Sequence, residues 1–116
     1  MKKLTIFILG ITFAFYGCKK EDLSKEIPSC IQESINQIAA GEVWNPPAKV
    51  YSFTYDNQTV YYFPPRCCDI PSLLYDKDCN LICAPDGGFT GRGDGKCPDF
   101  GDLAADQKLI WEDDRN

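Results

Sequence analysis

Lys49-Val50-Tyr51-Ser52-Phe53-Thr54-Tyr55-Asp56-Asn57-Gln58-Thr59-Val60-Tyr61-Tyr62-Phe63 is the stretch that decides the fold. Two runs of β-branched and aromatic residues flank a polar segment at 56–59, the pattern of a β-hairpin over 49–63. A turn centred on Asn57-Gln58 pairs 55 with 60, 53 with 62 and 51 with 64. Side chains alternate across a strand, so Tyr51, Phe53, Tyr55, Val60 and Tyr62 share one face. Ser52, Thr54, Tyr61 and Phe63 share the other. The first face is expected to be the core, packed on a helix. Tyr61 and Phe63, with Trp44 and Trp111, then lie on the outer face, either as a binding surface or as a second small core under the C-terminal segment. The second core is the favoured reading, because a chain of this size needs most of its aromatics inside. Asn57-Gln58-Thr59 also spells a glycosylation acceptor and is read as the hairpin turn.

Upstream of the hairpin, Ile31, Ile35 and Ile38 recur at helical spacing. Ser29 and Gln32 have the spacing of a capping box, and Gly41 is a natural stop. Gln32, Glu33, Asn36 and Gln37 form the wet face of this helix. Trp44-Asn45-Pro46-Pro47 cannot continue it and reads as a connection. Downstream, Leu73-Leu74-Tyr75 and Leu81-Ile82 read as short strands. Five glycines fall between residues 87 and 95, which demands positive φ angles or close backbone packing there. A short helix at 101–107 and a last strand at Lys108–Trp111, closing the sheet edge, complete the reading. The expected class is α+β: one N-terminal helix on a short antiparallel sheet, stapled by disulfides, with a long Gly/Asp-rich loop.

The chain has 116 residues and 7 cysteines. Setting Cys18 aside leaves Cys30, Cys67, Cys68, Cys79, Cys83 and Cys97, an even set that supports three bridges of open connectivity. A small domain has a thin core, and bridges make up the difference by restricting the unfolded chain. Cys30 is far from the rest, so its bridge should close the longest loop and tie the helix to the cysteine-dense half. Cys67 and Cys68 can close a small ring on each other or reach two different partners, and two partners is the expectation. Zinc is disfavoured, because the sequence has no paired Cys-x-x-Cys knuckles and no His. Thiol-redox catalysis is disfavoured by the spacing of Cys79-Asn80-Leu81-Ile82-Cys83.

At the N-terminus, Met1-Lys2-Lys3 precedes an apolar run from Leu4 to Tyr16, too short to span a bilayer as a helix. A charged start, a short apolar core and Gly17 before Cys18 describe a lipoprotein signal peptide over 1–17, with Cys18 as the lipidated, palmitate-bearing residue. Phe15 and Tyr16 depart from the usual pattern just before the cysteine. Residues 18–28 read as lipidated cysteine and flexible tether, and 29–116 as the globular domain. The Lys19-Lys20-Glu21-Asp22 cluster looks like a tag for display on the outer surface of the outer membrane, or else a plain solvated tether. Loss of Lys2 and Lys3 leaves a domain two charges more acidic than the −5 of the whole chain. Acyl chains must then supply the membrane attachment, and nucleic acid is excluded as a partner.

The absence of His removes Ser-His and Cys-His pairs, and so small a domain seldom encloses a deep carboxylate cleft. The chain therefore reads as a non-enzyme: a binding or interaction module for a protein or glycan partner. One alternative is a calcium-dependent module in which Asp86, Asp94, Asp99 and Asp102 of the 86–102 loop supply oxygens. The other is a small hydrolase or thiol-redox protein. Asp76, Asp78 and Asn80 begin like an EF-hand, but Leu81 and Gly87 stand where Gly and Glu are needed. Arg92-Gly93-Asp94 spells the integrin tripeptide, and in so Gly- and Asp-rich a loop it is read as chance.

Val60-Tyr61-Tyr62-Phe63, Cys67-Cys68-Asp69, Leu74-Tyr75-Asp76, Cys79-Asn80, Ile82-Cys83-Ala84-Pro85-Asp86-Gly87-Gly88, Gly93-Asp94-Gly95 and Cys97-Pro98-Asp99-Phe100 together resemble a family of small Bacteroidetes-type lipoproteins of unknown function. The resemblance implies a lipid-anchored envelope location and a single domain. It brings no catalytic or binding residues with it.

Overall fold

The computed structural model describes residues 27–115. The expected signal peptide, Cys18 and the tether as far as residue 26 lie outside the described residues. Helix α1 spans Ser29–Ala40, followed by strands β1 (Lys49–Tyr55), β2 (Gln58–Phe63), β3 (Leu73–Tyr75) and β4 (Leu81–Cys83). A one-turn helix α2 (Phe100–Leu103) leads into β5 (Ala105–Glu112). The strands form one sheet in the order β4-β3-β2-β1-β5. Every neighbouring pair is antiparallel. The domain is thus a small α+β unit, and β5 closes the β1 edge as expected. No helix among the described residues is long and apolar enough to cross a membrane.

The hairpin register differs from expectation by two residues: Tyr55 pairs with Gln58, Phe53 with Val60 and Tyr51 with Tyr62. The reason lies in the turn. Asp56 and Asn57 take φ of +53° and +59°, so the loop is the two-residue Asp56-Asn57, not Asn57-Gln58. Short Asp and Asn side chains tolerate left-handed backbone, whereas a loop at 57–58 would have put Gln58 there. A slip of two residues, unlike a slip of one, leaves face membership unchanged.

The expected helix-bearing face is a second correction. α1 packs its buried Ile31 and Ile35 on Val50, Tyr61 and Phe63, with Ile38, Leu73 and Tyr75 at the margin. Tyr61 and Phe63 are therefore 5% and 9% exposed core residues, not outward aromatics, and Trp111 is half-buried beside them. The other face is also covered. Val60, Leu74, Cys83, Cys97 and Phe100 form its core, with Phe53, Tyr55 and Tyr62 packed against them. Phe100 sits 5.2 Å from Phe53, 5.3 Å from Tyr55 and 5.9 Å from Tyr62, ring centre to ring centre. Two thin cores on one sheet account for the aromatic content of so short a chain, since each buried ring contributes about 2–3 kcal/mol before entropy.

Two cysteine pairs hold these layers, Cys30–Cys79 and Cys83–Cys97, and a third, Cys67–Cys68, closes within the β2–β3 connection. Cys30 closes the longest loop, 49 residues, and joins α1 to the β3–β4 turn, as its isolation in sequence predicts. Cys83–Cys97 clamps the segment carrying Phe100 onto β4. Cys67 and Cys68 pair with each other, contrary to the expectation of two separate partners.

The capping box does not form. Ser29 is inside the helix, Pro28 is the N-cap, and no side chain caps the end. Proline supplies the extended entry, and Gln32 instead donates to Asn36 on the wet face at 2.9 Å. At the other end α1 stops at Gly41, and Arg115 completes the cap. Its guanidinium donates to the carbonyls of Gly41 (2.9 Å) and Ile38 (3.2 Å) while also holding Asp113 (2.7 Å). Asp113 is 5% exposed, and these bonds hold its carboxyl below the usual carboxylate range, the Arg115 side chain being the main cause. A carboxyl whose pKa falls on folding stabilises the fold in full above about pH 4 and loses that contribution as pH drops further. Arg115→Ala is therefore expected to lower the melting temperature by more than Glu42→Ala, which breaks only an exposed ion pair. Asp113→Asn should flatten the fall in stability below about pH 4, read by thermal melts across that range.

Candidate binding cleft beside Trp44

The glycine loop, the first place to look for chemistry, is occupied by its own architecture. Gly87, Gly88, Gly91, Gly93 and Gly95 all have positive φ, as their density demands. Gly93 lies against Ala84 so closely that a Cβ would overlap the Ala84 carbonyl oxygen and stand 2.8 Å from Asp86 N. Asp94 accepts the backbone N–H of Ala84 (3.1 Å) and of Lys96 (2.9 Å), which turns the Arg92-Gly93-Asp94 carboxylate onto its own chain. Those bonds lower the Asp94 pKa, the Lys96 N–H foremost.

The other aspartates serve the sheet. Asp86 accepts the Tyr62 hydroxyl at 2.8 Å and the hydroxyl of the fully buried Ser72. Burial first, and this bond second, push the Tyr62 phenol up to about 12. Asp99 accepts the Tyr55 hydroxyl at 2.7 Å, which raises that phenol as well. Asp102 lies in the first turn of α2. Asp76, the EF-hand-like position, caps the β3–β4 turn through the N–H groups of Asp78 and Asn80, both at 2.9 Å. Among the described residues no group of three or more Cys, His, Asp or Glu is placed to hold a metal ion. The four loop aspartates of the calcium alternative are thus not gathered into one set, and three have partners of their own: Asp86 and Asp99 orient tyrosines and Asp94 folds the loop.

The open surface lies elsewhere. A cleft of about 450 Å³ runs between the C-terminal half of α1, the segment after it, and the β2–β3 face. Ile38, Phe63, Leu73 and Tyr75 line its apolar side, and Phe63 meets Tyr75 edge to face at 5.5 Å. Gln37, Glu42 and Arg66 supply the polar side, where Arg66 Nη2 donates to Glu42 Oε2 at 3.1 Å. Both side chains of that pair are solvent-exposed, at 48% and 83%. Trp44, half-buried, borders this cleft and also a smaller groove of about 200 Å³ walled by Pro46, Pro47, Tyr51, Pro64 and Pro65. Another groove, of about 340 Å³, lies beside Ile27 against β1, β2 and β5, where the chain enters from residue 26. The twelve residues of α1 put about 18 Å between that entry and the Trp44 end.

A model of the Domain of unknown function (DUF6970) matches residues 36–113. The chain belongs to the DUF6970 family. The match runs from within α1 to the buried Asp113, so the DUF6970 unit includes the whole sheet, Cys67–Cys68 and most of the Trp44 cleft. It does not reach the N-terminal residues on which the lipoprotein reading rests. Neither a search of curated proteins nor one of solved structures gives a match.

Of the four aromatics placed on the outer face by the sequence, Tyr61 and Phe63 are buried and reach the grooves only at their floors, whereas the half-buried Trp44 borders two of them. The grouping of Trp44 with Arg66, Glu42 and Tyr75 is absent from the sequence reading, since it joins three chain segments. The one signal pointing to it is a tryptophan next to Asn45-Pro46-Pro47, a large apolar ring in a connection that neither a helix nor a strand explains.

Proposed function

We propose that this DUF6970 protein is a lipid-anchored, non-catalytic binding module of the bacterial outer membrane, and that its Trp44 cleft receives a glycan. The carrying observation is the combination in one open cleft of aromatic rings with an exposed Arg–Glu pair, at the end of α1 away from the chain's entry. A sugar ring has an apolar C–H face that suits the negative face of Trp44 or Tyr75. Its hydroxyls suit the planar edges of Arg66, Glu42 and Gln37. The anchor part rests on Gly17-Cys18 and the short apolar run before it.

Two experiments test the two parts. Cys18→Ala should abolish incorporation of radiolabelled palmitate and move the protein from the membrane to the soluble fraction. Continued labelling of that variant would overturn the anchor. Titrating the oxidised domain with a panel of neutral oligosaccharides should shift the Trp44 indole N–H and Arg66 Nε signals, and Trp44→Ala should weaken that binding at least tenfold, about 1.4 kcal/mol. Silence of both signals up to millimolar sugar, with a protein ligand recovered at the same cleft, would replace the glycan by a protein partner.

A further inference from the structure

We infer that Cys67–Cys68 is a reversible thiol–disulfide site whose state sets the rim of the Trp44 cleft. The three pairs differ sharply in access. Cys83 and Cys97 are 1% and 6% exposed, Cys30 and Cys79 are half-buried, and both Cys67 and Cys68 are exposed. Disulfide exchange requires a thiolate to reach a sulfur, so an external reductant meets this pair first. The pairs also differ in what they hold. Cys30–Cys79 and Cys83–Cys97 span 49 and 14 residues, whereas Cys67–Cys68 spans a single peptide bond and restrains almost none of the unfolded chain. Opening it is a local event that leaves the folded layers stapled.

The local consequence follows from the backbone. Cys68 has φ +59°, a conformation unfavourable for an L residue other than Gly, Asn or Asp. Ring closure holds it there, within a turn closed by the hydrogen bond from Ile70 N to Cys67 O at 3.3 Å. Arg66, next to the ring, carries the cleft's only described ion pair, to Glu42, and both partners are exposed, so little else fixes that geometry. Reduction removes the covalent restraint, Cys68 relaxes to negative φ, and Arg66 leaves Glu42. The step balances with an external dithiol. One of its thiolates attacks a sulfur of the pair, the S–S bond breaks, and a mixed disulfide forms. Its second thiol then displaces the protein sulfur. The protein gains two thiols and the reductant ends as its own disulfide. This inference does not depend on what the cleft binds.

The test uses the full-length chain isolated under oxidising conditions, titrated with dithiothreitol, quenched with iodoacetamide and mapped by mass spectrometry. Cys67 and Cys68 should be labelled together, at reductant concentrations that leave Cys30, Cys79, Cys83 and Cys97 unlabelled, and air oxidation should reverse the change. The Arg66 Nε signal should move with the labelling, and a Cys67→Ser/Cys68→Ser variant should be folded and show the reduced position without reductant. Labelling of Cys30, Cys79, Cys83 and Cys97 at the same reductant concentration as Cys67 and Cys68 would overturn the proposal. So would labelling of Cys67 and Cys68 before any reductant is added, or an Arg66 signal indifferent to their state.

Discussion

Gly93→Ala is expected to lower the stability of the oxidised domain by about 3–5 kcal/mol, combining left-handed strain with forced displacement of packed backbone. Gly93 has φ +61°, and an added Cβ would stand 2.7 Å from the Ala84 carbonyl carbon as well as overlapping its oxygen. The obstruction is backbone, which cannot swing aside as a long side chain could. It is also backbone in use: Asp94 N donates to Ala84 O at 2.9 Å, and Gly93 N to Gly87 O at 3.0 Å. Moving Ala84 disturbs Cys83 and the staple to Cys97, hence the core around Phe100. Gly91 and Gly95 are the controls. Their φ values are +75° and +76°, but a Cβ at either meets nothing within 4 Å. Alanine there should cost only the left-handed penalty, about 1–2 kcal/mol. Urea denaturation of the three variants reads the difference. Equal losses at 91, 93 and 95 would mean that the loop does not pack on residues 84–86.

The second large effect is at Cys30–Cys79. Loop closure over 49 residues gives this bridge about 4 kcal/mol by restriction of the unfolded chain, against about 3 kcal/mol for the 14-residue Cys83–Cys97 loop. Small domains have a net stability of about 5–15 kcal/mol, so Cys30→Ser/Cys79→Ser should remove a large share of the whole. The loss falls on α1 in particular. Its first turn has no side-chain cap, and the hold of its N-terminal half on the sheet is Ile31, Ile35 and this bridge. Amide exchange should accelerate in α1 before β1 and β2, and the denaturation midpoint should fall further than in Cys83→Ser/Cys97→Ser. The reverse order would show that the C-terminal clamp, not the helix, limits the stability.

How much of this was legible in the sequence depends on which kind of information each feature uses. The hairpin, the isoleucine stripe, the short strands and the terminal strand are local patterns, and alternation or helical spacing reveals them. The density of glycine at 87–95 announced positive φ, and every glycine there has it. Which face of the hairpin takes the helix is a different matter, because both faces are aromatic and alternation ranks neither. Hydroxyls rank neither face, since Tyr61 carries one as well; the difference lies in the acceptors that the downstream loop brings to the other face. Tyr55 and Tyr62 need acceptors when packed, and Asp99 and Asp86 of the following loop are the carboxylates that provide them. Tyr61 and Phe63 were left for the helix. The calcium alternative meets the same limit: of the acidic residues close together in the 86–102 loop, Asp86, Asp94 and Asp99 each serve a tyrosine or an N–H of the fold. Cysteine pairing and the Trp44 cleft depend on segments brought together by the fold, which spacing alone does not specify.

The account turns on the cysteine framework, which fixes the helix to one face, the Phe100 segment to the other and, through Cys67–Cys68, the rim of the cleft on the helix side. Proteolysis of the oxidised protein under non-reducing, acidic conditions, followed by peptide mass mapping, tests it most directly. The account predicts linked peptides for Cys30–Cys79 and Cys83–Cys97, and a single peptide carrying Cys67 and Cys68 that is two hydrogens light. A peptide joining Cys67 or Cys68 to any of the other four cysteines would contradict it.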